Sequence, residues 1–281
     1  MKLSHPAAEI FVPDQKPLES ALPRTTHLGI GAHHDDLEFM AAHGILECFA
    51  QPNRFFTGVI VTDGAGSARD FEYKNYTDEQ MKDVRRLEQK KAAYVGEYAA
   101  QFLLSHPSSA VKDPKHPGVL ADLKAILEVT KPEVVYTHNF ADKHDTHVAV
   151  ALRVLAACRA LEPSQRPKQL IGCEVWRDLD WLCDSDKVQM PVDRHENLQN
   201  ALMGVFDSQI AGGKRYDLAT AGRRKAHATY FESHGTDQHT ALIWGMDLTS
   251  LMSESDPAAL VTTLIRRFED EVLGRVRRLG G

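Results

Sequence analysis

The sequence predicts an α/β fold: a Rossmann-like, mostly parallel sheet flanked by helices, followed by a more helical C-terminal part. Two observations carry this. Short apolar runs of strand length alternate with longer stretches of helical periodicity between residues 26 and 176, the pattern of a parallel sheet with helical crossovers. Two clusters dense in His and Asp, 33–38 and 138–147, each follow one of the apolar runs, and in open α/β sheets the region beyond the carboxyl ends of the strands is where ligands sit.

Taken in order, residues 1–24 contain Pro6, Pro13, Pro17 and Pro23 and are expected to form an extended arm. His27-Leu28-Gly29-Ile30-Gly31-Ala32 predicts a first strand, with helical spacing following to about Phe49. Thr57–Thr62 predicts a second strand ending at Asp63-Gly64. A charged helix is expected over about Asp78–Tyr94, with Met81, Val84, Leu87 and Ala92 on its apolar face. Gln101–Leu104 is a third strand candidate, Gly118–Thr130 a helix halted ahead of Pro132, and Glu133–Thr137 a fourth strand. An apolar helix, Val148–Ala160, and a fifth strand, Leu170–Trp176, complete a core assigned to 25–192. Residues 193–281 are expected to be a mostly helical part packed on it.

Composition narrows the function. With 281 residues, 43% hydrophobic and 26% charged, the chain has the balance of a folded globular protein. Its 33 basic against 39 acidic residues give a net charge of −6, so nucleic acid is not an expected partner. The arginines at 266, 267, 275, 277 and 278 are interleaved with Glu269, Asp270 and Glu271 and are expected to form a solvated helix face. Cys48, Cys158, Cys173 and Cys183 form no C-x-x-C pair, which argues against a thiolate metal site and a disulfide framework. The opening MKLSHPAAEIFVPDQKP interleaves charges and prolines where a signal peptide needs an apolar run. No stretch approaches the roughly 20 apolar residues of a membrane span. A cytoplasmic protein is therefore expected, and a homo-oligomer is compatible with everything in the sequence.

The first cluster reads Gly31-Ala32-His33-His34-Asp35-Asp36-Leu37-Glu38. An aspartate here could simply cap a helix, but that explains one acidic residue and leaves the others. His33 and Asp36 are three apart, on one face of a helical turn. In the second cluster His144 and His147 repeat that offset where a helix should begin. Together they offer nitrogen and oxygen ligands with no sulfur. Two His and one carboxylate with an open position is the pattern of a catalytic zinc. A spare carboxylate and a spare histidine, Asp35 and His144, could move the protons.

These residues resemble the LmbE/PIG-L-like zinc deacetylases. The family motif A-H-P-D-D is matched by Ala32-His33-His34-Asp35-Asp36, and H-N-x-x-D-x-H-x-D-H by His138 through His147. T-D-G is matched by Thr62-Asp63-Gly64, and R-x-x-E by Arg85-Arg86-Leu87-Glu88. The resemblance implies that His33, Asp36 and His147 hold one Zn²⁺ or another divalent metal. It also implies that Asp35 is the general base and that His144 stabilises the oxyanion or protonates the leaving amine. Arg85, Asp63 and Gly64 would contact substrate. The implied reaction is removal of acetyl from a small N-acetylglucosamine-type amino-sugar derivative.

Departures from the motifs bear on substrate and rate. His34 replaces a proline, adding a second-shell donor or a competing ligand. Thr146 replaces an aspartate, so the group that orients His144 is sought in Asp142 or Asp145. Ser208-Gln209 resembles a family S-Q element, with Phe206 where a histidine usually lies. His227, His234 and His239 read as surface histidines. Trp176, Trp181 and Trp244 read as core or cleft wall.

Two alternatives stay open: an amidase acting on a larger acyl amide or thiol conjugate by the same chemistry, and a non-catalytic Rossmann-like sugar- or nucleotide-binding protein. No G-x-G-x-x-G follows the first strand, so the usual pyrophosphate cradle is missing.

Overall fold

The computed structural model describes residues 1–253 and 256–281. The N-terminal segment carries a strand β1 (Glu9–Phe11) and a helical turn α1 (Leu18–Ala21). There follow β2 (His27–Gly31), the short helices α2 (Asp36–Met40) and α3 (Ala42–Cys48), β3 (Phe56–Thr62), α4 (Asp78–Val95) and β4 (Ala100–His106). Next come α5 (Ser108–Lys112), α6 (Pro117–Thr130), β5 (Val134–His138), α7 (Asp145–Arg159) and β6 (Gln169–Cys173). The C-terminal part holds β7 (Lys187–Pro191), α8 (Glu196–Gly204), α9 (Asp207–Ile210), α10 (Tyr216–Tyr230), β8 (Leu242–Asp247) and α11 (Pro257–Gly280).

Among the described residues these strands form one eight-stranded sheet in the order β1-β4-β3-β2-β5-β6-β8-β7. The stretch β4-β3-β2-β5-β6 is parallel, while β1, β8 and β7 pair antiparallel at the two edges. All five strands expected from the sequence are present, and they are buried almost throughout because helices cover both faces. One apolar cluster includes Leu28, Val59, Phe102, Val135 and Val154, and the other Leu37, Ile45, Phe56, Tyr98 and Ile60.

Three features differ from the sequence reading. The proline-punctuated arm supplies an edge strand, with Ile10 opposite Phe102. The C-terminal region, read as helices and loops, contributes β8, which zips β7 to β6. The buried face of α4 is not the apolar set: Leu87 is exposed, and Arg85, Glu88 and Gln89 point inward beside Met81, Ala92 and Ala93. A Thr77–Gln80 capping box starts that helix.

The sheet also fixes where chemistry can occur. From β2 the chain steps toward β3 and β4, and from β5 it steps the other way to β6. The switch point lies between β2 and β5, whose residues His27 and Val134 are in register. Both His/Asp clusters leave the sheet there, on either side of the crevice that such a reversal opens. Among the described residues no helix is long and apolar enough to cross a membrane.

Candidate active site

Residue 35 sets the shape of the first loop. Asp35 lies in the left-handed region, with φ +95°, a conformation that costs a non-glycine residue about 1–3 kcal/mol and tends to persist at functional sites. The turn is held from outside: the Asp35 amide donates to Gln89 Oε1 at 3.1 Å. Arg85 donates through Nη2 to the His34 carbonyl and lies 3.4 Å from Asp35 Oδ2. Asp36, the first residue of α2, turns back so that its Oδ2 accepts from the His33 amide at 2.6 Å. That leaves Oδ1 for other work.

The second loop brings His147, in the first turn of α7, against that carboxylate. His147 Nε2 is 3.5 Å from Asp36 Oδ1 and 3.1 Å from His33 Nδ1, and His33 Nδ1 is 3.5 Å from Asp36 Oδ2. Bonds of 2.0–2.1 Å at tetrahedral angles set donor atoms about 3.3 Å apart, and the two imidazole nitrogens are near that spacing, while each imidazole has a different Asp36 oxygen 3.5 Å away. Two imidazole nitrogens at 3.1 Å also require a shared proton or a cation between them.

His138, the last residue of β5, is fully buried and stacks on His147 with ring centres 3.9 Å apart. Its Nε2 lies 3.3 Å from Asp36 Oδ2 but accepts the Ala32 amide at 2.9 Å. That lone pair faces the Ala32 amide, yet Asp36, His138 and His147 also place ligand atoms close enough together to hold an ion. His144 packs its ring on His147 at 4.6 Å and edge-on to His33 at 4.9 Å, and with those two it forms a second group able to hold an ion.

Electrostatics follow from this packing. Burial pushes the Asp36 carboxyl up, but the imidazoles of His147 and His138 outweigh it and hold the group well below the usual carboxylate range. Burial lowers His147, yet Asp36 and Asp142 reverse the balance and raise it. Burial takes His138 down to about 4 and, helped by His147 and His33, lowers His144 as well. Asp35 is pushed up to about 8 by burial and the charge of Asp36, against the pull of Arg85. Adjacent carboxylates with values driven apart are the signature of divided acid–base roles.

Asp142 accepts the His144 amide at 2.9 Å and the Trp176 amide at 3.1 Å, and its Oδ2 lies 3.4 Å from His147 Nδ1. It therefore braces the loop and His147, not the ring of His144. Asp145 is exposed and makes no side-chain hydrogen bond among the described residues, so neither aspartate orients that ring. His34 is buried away from the ligand triangle, against Gly64. Gly64 has φ +79°, and a Cβ there would stand 3.0 Å from His34 Nδ1, so only glycine suits the turn. Asp63 lies 3.3 Å from Lys82 Nζ. Arg85 donates to Ser67 Oγ at 2.5 Å, so much of its fork is spent on the two loops it joins.

His33, Asp35, Asp36, Asp63, Gly64, Arg85 and His144 all line one cavity of about 670 Å³, which Trp176 and, from the C-terminal part, Gln209 and Tyr216 also line. Two links to that part were undervalued in the sequence. Ser208 is fully buried and donates its amide (2.7 Å) and hydroxyl (2.6 Å) to the two oxygens of Glu88. His227 is buried, not a surface histidine, and sits 2.8 Å from Glu174 on the cavity wall. His234 is exposed, and His239 pairs with Asp193 at 2.7 Å. His138 could have been found from its position at the carboxyl end of a strand.

Comparisons with known proteins agree with this geometry. The family model described as "PIG-L: GlcNAc-PI de-N-acetylase" matches residues 28–158. The uncharacterized deacetylase YaiS of Escherichia coli (strain K12) is 26% identical over 161 residues, spanning 57% of this chain and 80% of its own. Among solved structures, the N,N'-diacetylchitobiose deacetylase of Pyrococcus horikoshii superposes with a TM-score of 0.64 at 14% identity, covering 83% of this chain and 87% of that one. GalB, the 4-carboxy-2-hydroxymuconate hydratase of Pseudomonas putida KT2440, superposes with a TM-score of 0.58 at 16% identity over 80% and 95%. At such identities the likeness is one of fold, and that fold serves more than one reaction. With the motifs in place and the model matched across both clusters, residues 28–158 are similar to the PIG-L, or LmbE-like, deacetylase family.

Proposed function

We propose that this protein is a zinc-dependent hydrolase that removes the acetyl group from an N-acetylglucosamine-type amino-sugar derivative. The observation that carries the reading is the triangle of His33 Nδ1, Asp36 and His147 Nε2, with sides of 3.1–3.5 Å, opening toward a large cavity beside Asp35. Those three residues would hold the ion. When bound, it supplies a Lewis acid that polarises an amide carbonyl and brings a water toward a pKa of about 7.

The chain's own groups account for the proton movements. Asp35, its carboxyl raised by burial and next in the chain to Asp36, is the group that would accept the proton of the attacking water in its ionised form. The same proton is then at hand for the departing nitrogen. His144, held neutral by burial, retains one N–H with which to stabilise the oxyanion developing on the carbonyl. Arg85, tied to His34 and Ser67, keeps the Asp35 turn in place. The products are acetate and a free amine.

The test is acetate release from a panel of N-acetylglucosamine derivatives by metal-replete protein, with chelator-treated protein and longer acyl amides in parallel. Turnover of acetamides that chelation abolishes is the expected result. Turnover of bulky acyl amides alone would move the assignment to an amidase. Tight sugar binding with no amide cleavage would make it a binding protein.

A further inference from the structure

Helix α11 is poorly supported by the fold that carries it. It runs 24 residues, about 36 Å, yet it is anchored only near its start. Leu264 is buried, Leu260 packs on the first apolar cluster, and Arg267 pairs with Asp186. From Ile265 to Gly280 every residue is exposed. Ile265, Val272, Gly274 and Val276 in that stretch are indifferent or poor helix formers. Helices in proteins draw most of their stability from packing an apolar face, and beyond Leu264 this one buries no side chain among the described residues.

The apolar face is present all the same. Val261, Ile265, Phe268, Val272, Val276 and Leu279 follow one another at spacings of three and four, which sets them in a single stripe about 27 Å long. The last five are 37–75% exposed. No other described helix exposes more than two large apolar side chains, so the stripe is not the ordinary scatter of a surface.

The charges beside the stripe select the partner. Glu271 and Arg275 flank the same edge of it, one before its centre at Val272 and one after. They pair with each other at 2.9 Å, but both are exposed, so that bond is weak and either group can exchange its partner. A second copy lying antiparallel, with Val272 at the two-fold axis, sets Ile265 against Leu279 and Phe268 against Val276. It brings Glu271 of each chain beside Arg275 of the other and opposes the two helix dipoles. A parallel copy would set Glu beside Glu and Arg beside Arg.

We propose that α11 is a dimerisation element, and that two copies of this chain associate by antiparallel pairing of the 261–279 stripe.

Sedimentation of the full chain from about 1 to about 100 µM should show the mass rising from the 31.3 kDa of one chain to twice that, because a seam of about five turns gives reversible association. Phe268→Glu/Val272→Glu should raise the dimer Kd at least about tenfold. Arg275→Glu should weaken association about three- to tenfold, and mixing it in equal amounts with Glu271→Arg should restore it.

Cross-linking tests orientation without relying on the double variant, in which two added glutamates can also melt the helix. In Cys183→Ser protein, whose remaining cysteines are buried, Ile265→Cys and Leu279→Cys chains are oxidised together and apart. Covalent dimers should form roughly tenfold faster in the mixture than in either alone. Three results would overturn the proposal: cross-linking of each alone but not of the mixture, a chain that stays monomeric at about 100 µM, or a monomer that sediments with phosphatidylglycerol vesicles instead. None of these measurements depends on the reaction assigned to the cavity, to whose lining α11 contributes no residue.

Discussion

Asp35 and Asp36 are neighbours in the chain with opposite fates, because one faces Arg85 from a strained turn and the other faces three imidazoles. Their separation of roles makes a prediction for each side of the centre. Replacing Asp35 by Asn should leave the metal content of purified protein unchanged and lower kcat about 10²–10⁴-fold; a variant with full turnover would remove Asp35 from the mechanism. Asp142→Ala acts differently, since that carboxylate lies behind His147 at 3.4 Å. Loss of such a brace should weaken zinc about 10–100-fold in a competition titration with a chromophoric chelator. Unchanged affinity would mean that Asp142 serves the loop alone.

At the scale of elements, α4 joins the two halves of the site through its polar buried face. Glu88 reaches α9 through Ser208, and Gln89 reaches α2 by donating to Glu38 Oε1 at 2.8 Å. Ser208→Ala leaves Glu88 buried with one fewer donor and should cost about 1–3 kcal/mol, read as a lower denaturant midpoint at unchanged slope. Glu38 also accepts from Tyr98 at 2.8 Å, and burial pushes its carboxyl up to about 8. Such a group binds its proton more tightly folded than unfolded. Its contribution is complete below the ordinary glutamate value of 4.5 and is lost progressively as pH rises toward 8. Glu38→Gln cannot ionise, so its Tm relative to the parent should improve by about 5 °C between pH 5 and pH 8.5. A constant difference across that range would show that Glu38 titrates normally.

For the molecule as a whole, the ion would tie together the ends of β2 and α7, which belong to opposite sides of the sheet's switch point. A ligand that binds only the folded state stabilises it by mass action, about 2.7 kcal/mol at a hundredfold excess over Kd. Zinc should therefore raise the Tm of chelator-stripped protein by about 5 °C or more, and Asp36→Asn should abolish the response. A parent protein indifferent to zinc would refute the ligand set without any assay of activity. At the same scale, α11 buries Leu264 but leaves Ile265, Phe268, Val276 and Leu279 exposed, so the arginine-rich face expected from the sequence is accompanied by an uncovered apolar one.

The amino-acid sequence by itself determined the local part of this protein: five parallel strands, and two clusters whose residues meet within single turns. The three-residue spacings 33/36 and 144/147 were legible, but His33 and His144 stand before α2 and α7, so the left-handed turn at Asp35 and the extended backbone at His144, not a shared helix face, set these pairs. Strand β8 escaped the sequence reading because Leu242–Met246 is apolar throughout, a pattern that periodicity cannot tell from a buried helix. The inward face of α4 escaped for the opposite reason, since Arg85, Glu88 and Gln89 look solvated until the loops and α9 are packed on them. Tertiary structure alone decided that residues 33–36 and 147 stand within 3.5 Å of one another. It also decided that His138 spends its lone pair on the Ala32 amide, and that Ser208 and His227 are buried partners of acids. These contacts join positions separated by 50 to 120 residues, and hydrogen-bonded pairing of β2 with β5 is what brings the two loops together.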